Sequence, residues 1–335
     1  MLTATSGCGT LSYLLQGAGG QLELFDRARP IAQVLRDESA APKLKYLLAQ
    51  VEPIKAWGAH RGLDISDNYR DYVPLNREAA VWVVTASERL AFEPKTWSFP
   101  LFGSFPYLGF FAREDAVALA AELQAEGWDA YVRPAAAYST LGWFSDPILS
   151  TMLSRGDDVL GGLVNVVLHE SVHATHYVAE QGPFSESIAL FIGRGMTPQY
   201  LTQVYGARSP MLRAYRQHRA DRDNVDERME IAFLALQTIY TTDAPDAEKL
   251  KQKAAIFRAL GTALDADETF NNATLIDFKT YRAGTEELQR LFEHCQGDWR
   301  RFIGALTTVD QEAFSEEQQE NLAPIIEPLI EAGCL

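Results

Sequence analysis

The chain has 335 residues, 47% of them hydrophobic, and a formal net charge of -15. This is enough apolar material for one large domain or two modest ones. The acidic balance, without a cluster of Lys and Arg, argues against nucleic-acid binding, because phosphates are bound by basic surfaces. No apolar run approaches the roughly 20 residues that cross a bilayer, so no membrane-spanning helix is predicted.

The N-terminal segment, residues 1–20, contains Thr5-Ser6-Gly7-Cys8, where small residues precede a cysteine as they do at the end of a bacterial lipoprotein signal. The apolar stretch of such a signal does not precede it. The segment is therefore either the remnant of a lipoprotein anchor lipidated at Cys8, or a chance match. The first interpretation gives membrane attachment and a periplasm-facing place in the cell envelope; the second leaves a cytoplasmic location open.

Residues 21–335 are predicted to form a single domain that begins with helices. Apolar residues recur at near-helical spacing from Leu22 to Leu35, and again from Pro42 to Trp57. Pro53 lies in the second stretch. We expect it to interrupt or end that helix, because proline cannot donate the backbone hydrogen bond of a helix interior.

Residues 79–145 have the pattern of a small α/β layer. β-branched and aromatic residues at 80–86 indicate a strand, a helix is predicted at 114–126, and a second strand follows at 130–132. The stretch 97–111 is dense in aromatic residues, Gly and Pro, which favours loops and short strands over a long helix.

Residues 147–335 are predicted to be mainly helical. Leu163 to Tyr177, which reads LVNVVLHESVHATHY, is apolar nearly all round and so indicates a buried helix. Asp146-Pro147 and Gly156-Asp157-Asp158 are both typical of helix starts. We expect this helix to run to about Glu180 and to stop at Gly182-Pro183. The whole order of elements predicts an α+β fold, a small mixed β layer followed by a predominantly helical body.

The centre of this helix is His169-Glu170-Ser171-Val172-His173, the H-E-x-x-H pattern. Residues four apart lie on one helix face, so His169 and His173 can direct ring nitrogens at one metal ion. Glu170 is rotated off that line by about 100°, close enough to act as a general base toward a water at the metal. The alternative is a core helix whose histidines are merely hydrogen-bonded.

A second helix is predicted at Phe184 to Ile192, closing at Gly193. The turn before it lets it fold back antiparallel, which brings Glu186 toward the histidines as a third metal ligand. His176 shares the histidine face, but seven residues separate it from His169, a rise of about 10 Å. Glu180 is farther still, so both are set aside.

The segment just before the helix of His169 and His173 offers a candidate for substrate binding. In zinc peptidases of this kind an extended edge strand pairs with the substrate backbone. Ala137, Tyr138, Ser139 and Thr140 are the candidate residues, although a purely structural role would also explain them.

Downstream, Asn271-Asn272 precede Tyr281 in a helical region. The Tyr281 hydroxyl could stabilise the oxyanion of a tetrahedral intermediate, or the side chain could simply be packed. Cys295 and Cys334 could pair in an oxidising compartment or remain buried thiols.

At His169 to Ala189 the sequence resembles the bacterial putative aminopeptidase family. The resemblance extends over nearly the whole chain, through Gly20 to Leu24, Trp97 with Phe99-Pro100, Pro106-Tyr107 with Gly109, Ala137 to Phe144, and Asn271 to Ala273 with Tyr281. It implies a zincin-like metallopeptidase, often carried as a cell-envelope lipoprotein. It also implies Zn2+ bound by His169, His173 and Glu186, with Glu170 as catalytic base and Tyr281 as oxyanion donor.

Two features depart from related zinc peptidases. The position one turn after Glu186, where an acidic residue often orients the site, is Leu190, so Asn165 is the candidate for support behind the ligands. The Gly-x-Met-x-Asn motif that holds a free amino terminus in zinc aminopeptidases is absent. The aminopeptidase assignment therefore comes from the resemblance, while the residues themselves predict a metal-dependent hydrolase.

The resulting hypothesis is zinc-dependent hydrolysis of peptides at their N-termini. Two alternatives stay open at this point. One is a zinc endopeptidase. The other is a non-catalytic metal-binding protein of the cell envelope, in which a fourth protein ligand such as Asp146 or His176 closes the site.

Overall fold

The computed structural model describes residues 7–99, 103–137, 145–153, 156, 158–266, 269–280 and 282–334. Within these residues the fold is mixed α+β, with helices predominating and the strands gathered in small sheets. The predicted fold class is confirmed at this level. None of the helices described is both long and apolar enough to cross a membrane.

The N-terminal part is helical apart from one short strand. Its elements are α1 (Gly7–Arg27), β1 (Arg29–Pro30), α2 (Ile31–Arg36), α3 (Pro42–Leu48) and α4 (Val51–Ala59). The helical stretch is interrupted at Ala49 and Gln50, near Pro53 as expected, but Pro53 itself does not end a helix. Pro53 is the third residue of α4, where a backbone N–H would have no acceptor within the helix in any case.

Helix α1 runs through position 20 without a break and packs on the α/β layer. The Gln16 side chain donates to the carbonyl of Gly109 at 3.1 Å and accepts from the backbone N–H of Phe111 at 3.2 Å. The Tyr13 ring stacks on Phe99 with centroids 5.4 Å apart. Residues on both sides of position 20 therefore belong to one continuous helix that is fixed to the sheet.

The α/β layer follows as predicted, with one strand at its centre. Its elements, after β2 (Asp71–Val73), are β3 (Val81–Ser87), β4 (Trp97–Phe99), β5 (Gly103–Phe105), β6 (Tyr107–Phe110), α5 (Arg113–Ala125) and β7 (Asp129–Ala135). β3 pairs antiparallel with β6 on one side and β7 on the other, and β4 pairs with β5. α5 covers the sheet and ends before Gly127, whose φ of 98° suits a helix stop.

The segment before the helix of His169 and His173 differs from the prediction. Asp146-Pro147 does not start a helix but leads into β8 (Ile148–Leu149), which pairs parallel with β2 while β1 pairs with the other edge of β2. Ile148 and Leu149 are fully buried, so burial of an apolar pair in this sheet outweighs the helix-start signal. Asp158, the other predicted start, is the N-cap of the next helix.

The helical body carries most of the core. Its helices are α6 (Val159–Thr175), α7 (Gly182–Tyr205), α8 (Pro210–Tyr240), α9 (Asp246–Leu264), α10 (Asn272–Thr280), α11 (Thr285–His294), α12 (Trp299–Leu306) and α13 (Ala323–Ala332). α6 is buried along nearly its whole length, in agreement with its apolar sequence. Cys295 and Cys334 form a disulfide that joins the residue after α11 to the second residue after α13.

Two predicted helix ends were wrong. α6 ends at Thr175, and His176 is extended with φ −153° and ψ 122°. Gly182 and Pro183 do not stop that helix but form the first two positions of α7, where proline is well tolerated. α7 also continues through Gly193, up to Tyr205. This glycine permits close contact between α6 and α7 and does not end its helix.

The two neighbouring amides, Asn271 and Asn272, attach α10 to the α/β layer. Asn271 Nδ2 donates to the carbonyl of Ala130 at 2.8 Å. The fully buried Asn272 Nδ2 donates to the carbonyls of Glu88 and Ala91 at 2.9 and 3.1 Å, and its Oδ1 accepts from the Tyr240 hydroxyl at 2.7 Å. This pair therefore has a structural role between α10 and the sheet.

The Asn272→Ala variant is expected to lower the free energy of unfolding by about 3 kcal/mol, because it removes three hydrogen bonds of a fully buried side chain, each worth about 1 kcal/mol. Urea unfolding followed by circular dichroism measures the change. Asn224→Ala is the matched control, since Asn224 is exposed on α8 and bonds only to the side chain of Arg228 among the contacts described. Equal losses in the two variants would contradict this role for Asn272.

Candidate functional site

Antiparallel packing of α6 and α7 brings three side chains to one point. His169 Nε2 and His173 Nε2 lie 3.2 Å apart, and Glu186 Oε2 lies 3.4 Å from the first and 3.7 Å from the second. All three side chains are largely buried, with exposed fractions between 11% and 21%. The predicted ligand set is thus brought together in space. Among the described residues, these three side chains form the group whose donor atoms lie close enough together to hold one metal ion. Neither Asp146 nor His176 belongs to this group.

The distances and the donor types fit a zinc ion. Donors about 2.0–2.1 Å from a tetrahedral ion are about 3.3–3.4 Å from one another, close to the three observed separations. Two imidazoles and one carboxylate are also a donor set that zinc accepts in catalytic sites, where one position is left to water or substrate. The arrangement suits a metal held by three protein groups.

The charges of the three groups stabilise one another. Burial would raise the pKa of Glu186, but the hydrogen bonds and charges of His169 and His173 hold it well below its usual range. Burial would likewise lower the pKa of His173, and Glu186 raises it instead. The carboxylate is therefore kept ionised, as a metal ligand must be.

Glu170 follows His169 on α6, and its charge acts on the Tyr69 hydroxyl together with that of Asp146. Burial raises the pKa of Glu170 above its ordinary value, with His169 and His173 opposing the shift. The Tyr69 backbone N–H donates to the Asp146 carbonyl at 2.7 Å. Burial and the negative charges of Glu170 and Asp146 raise the pKa of the Tyr69 hydroxyl, so this phenol stays protonated beside the carboxylate.

Tyr107 and Tyr177 lie on the side of Glu186. The Tyr177 ring is 6.4 Å from the His173 ring, edge to face. Burial raises the pKa of Tyr107, and the charge of Glu186 adds to the effect. The family resemblance included Tyr107 but gave it no role, and nothing in the sequence pointed to Tyr69, because both residues belong to parts of the chain distant from the ligands.

The side chains that were set aside as ligands are engaged elsewhere. The His176 ring packs edge to face on Phe184 with centroids 6.0 Å apart, and burial lowers its pKa. Glu180 has a left-handed backbone with φ 58°, and its carbonyl accepts from the Gln318 N–H at 2.8 Å. Both belong to the connection between α6 and α7.

The remaining predicted site residues are only partly covered by the structure. Asn165 Oδ1 accepts a 3.4 Å hydrogen bond from the Tyr215 hydroxyl, which links α6 to α8; its support of the ligands stays a prediction. Ala137 is half-buried just after the edge strand β7. Tyr138, Ser139, Thr140 and Tyr281 lie outside the described residues.

A protein-family model described as "Putative aminopeptidase" matches residues 12–322. The chain belongs to this family. The match covers α1 to the start of the last helix, so it includes His169, Glu170, His173 and Glu186. Membership indicates peptide hydrolysis as the activity. No curated protein and no solved structure matches the chain.

Gly193 determines how closely the two ligand-bearing helices approach. A Cβ at this position would lie 3.2 Å from the backbone oxygen of Asn165 and 3.3 Å from the Cβ of His169. Both are parts of α6 that cannot move without the helix. The contact therefore needs a residue without a side chain.

The Gly193→Val variant is expected to lower the free energy of unfolding by about 2–3 kcal/mol through overpacking between α6 and α7. Gly304→Val is the control, since Gly304 lies in α12 and a Cβ added there would meet nothing within 4 Å, so its stability should change by less than about 1 kcal/mol. Urea unfolding gives both values. A Gly193 variant as stable as the control would show that the helices can separate freely.

Proposed function

We propose that this protein is a zinc-dependent aminopeptidase with a zincin-like site. The observation that carries the proposal is the set of distances of 3.2, 3.4 and 3.7 Å among His169 Nε2, His173 Nε2 and Glu186 Oε2, which matches the edges of a tetrahedral zinc site. Family membership supports peptides as the substrate. Removal of the first residue of a peptide is supported by the description of that family.

In this proposal His169, His173 and Glu186 hold the ion. Bound zinc supplies a Lewis acid that lowers the pKa of water and polarises a peptide carbonyl. Among the described residues, three side chains are grouped as potential ligands. This number supports a catalytic site, because a structural zinc takes four protein ligands. Ala137 to Thr140 are proposed to pair with the substrate backbone beyond the edge of β7.

Glu170 is the proposed general base. Its carboxylate takes a proton from the attacking water and returns it to the nitrogen of the leaving amine. A raised pKa suits both steps, since a group that accepts a proton and then donates it works best when its pKa is nearer to the working pH. Tyr281 is proposed to donate a hydrogen bond to the oxyanion, with Asn165 supporting the ligands from behind.

The Cys295–Cys334 disulfide supports a location in an oxidising compartment. The proposed place is the cell envelope, facing the periplasm, with Cys8 as the site of lipid attachment. Both cysteines of the disulfide are buried, at 0% and 6% exposure, so the bond is protected once formed.

The Glu170→Gln variant should retain zinc at one ion per chain and lose at least about a hundredfold in kcat, because glutamine keeps the shape but cannot take the proton. Metal analysis and steady-state kinetics provide the two measurements. Glu186→Gln is the companion variant and should lose zinc together with activity. Near-normal turnover by the Glu170 variant would eliminate it as the base.

Matched peptides with free and acetylated N-termini test the exopeptidase assignment. Cleavage of the free peptide alone is expected, with loss of activity on treatment with a chelator and recovery on addition of zinc. Mass spectrometry of the products identifies the bond that is cut. Equal cleavage of the acetylated peptide would indicate an endopeptidase, and cleavage that persists in chelator would refute zinc dependence.

A further inference from the structure

A cavity of about 330 Å³ lies on the side of α7 that faces α11 and α12. Its lining includes two guanidinium groups, Arg194 on α7 and Arg282 just before α11, and three aromatic rings, Phe191, Phe292 and Trp299. The volume is at the lower end of the range for small-molecule sites. None of the proposed metal ligands lines it.

The two guanidinium groups share one carboxylate. Arg282 hydrogen-bonds to Asp226 Oδ2, and Arg194 Nη1 is 3.9 Å from the same oxygen. Asp226 is nearly inaccessible, at 7% side-chain exposure, whereas the arginines keep 26% and 22%. Since each guanidinium has five N–H donors, one buried carboxylate cannot satisfy both.

Further arginines increase the positive charge around the pair. Burial, together with Arg219 and Arg282, lowers the pKa of Arg194 to about 9. Burial and Arg219 also lower the pKa of Arg282 to about 10. Arg219 is itself paired with Asp223, whereas the charge of Arg222 also acts on Arg282, so positive groups outnumber carboxylates around the pair. Both arginines remain charged at neutral pH and would be stabilised by an anion.

The aromatic residues form an apolar wall next to this charge. The rings of Phe292 and Trp299 are 4.1 Å apart, and Phe191 lies 6.0 and 6.1 Å from them. The Trp299 indole N–H is already bonded to Gln199 Oε1 at 3.0 Å, which fixes the ring. A ligand that matches the cavity therefore has a negatively charged group and an apolar body.

We propose that this cavity binds a small organic monocarboxylate, with the carboxylate between Arg194 and Arg282 and the apolar body against Phe191, Phe292 and Trp299. A guanidinium pair suits carboxylate and phosphate geometry alike. The apolar wall favours an organic carboxylate over inorganic phosphate, which has no apolar body, and the nearby Asp226 carboxylate favours a monoanion over a dianion. The site goes beyond peptide hydrolysis and does not depend on it.

Isothermal titration calorimetry with benzoate tests the proposal. Benzoate is expected to bind at one site per chain with a dissociation constant of about 1 mM or lower, and the neutral benzamide and inorganic phosphate at least about tenfold more weakly. This comparison needs only the wild-type protein. Benzamide that binds as well as benzoate, phosphate that binds as well, or no binding of benzoate would each overturn the proposal.

Variants locate the bound benzoate. Arg194→Gln and Arg282→Gln should each weaken binding at least about tenfold. Arg290→Gln is the matched control, because Arg290 lies on α11 but pairs with Glu327 at the surface, and it should bind as the wild type does. Binding that survives both cavity substitutions but disappears in Glu186→Ala would place benzoate at the metal ligands and refute the cavity site.

Discussion

The close contact of α6 with α7 is the constraint on which the rest of the structure depends. Gly193 allows the two helix backbones to meet at Asn165 and His169, and the antiparallel direction then places Glu186 opposite both histidines. The interaction among these three groups is strong only because they are largely buried, where charges are poorly screened. The surrounding helices and the α/β layer supply that burial.

The local part of the site could be predicted from sequence. His169, Glu170 and His173 lie within five residues, so helical periodicity alone fixes their relation, and one short connection adds Glu186. Tyr69 and Tyr107 could not be predicted, because their positions depend on how β2, β6 and β8 meet the helices. Long-range contacts of this kind leave no periodic signal in the chain.

The errors that concern helix interruption share one physical origin. Gly193, Gly182-Pro183 and Pro53 all have the residue types that interrupt helices in water, and each was interpreted in that sense. In the folded protein Pro53 and Pro183 lie in first turns, where no donor is required, and Gly193 lies at a helix contact. For Pro53 and Pro183, position in the first turn outweighed the local tendency to interrupt a helix. For Gly193, packing against the neighbouring helix outweighed it.

The attachment of α10 to the sheet has a mechanical consequence. Asn271 and Asn272 bind the backbone of the layer, the Arg133 guanidinium on β7 pairs with Asp277 on α10 at 2.8 Å, and Lys253 on α9 pairs with Asp129. A hinge that moved the layer away from these helices would have to break all of these bonds together. The α/β layer and these helices therefore form one rigid unit, whose two parts do not close on each other.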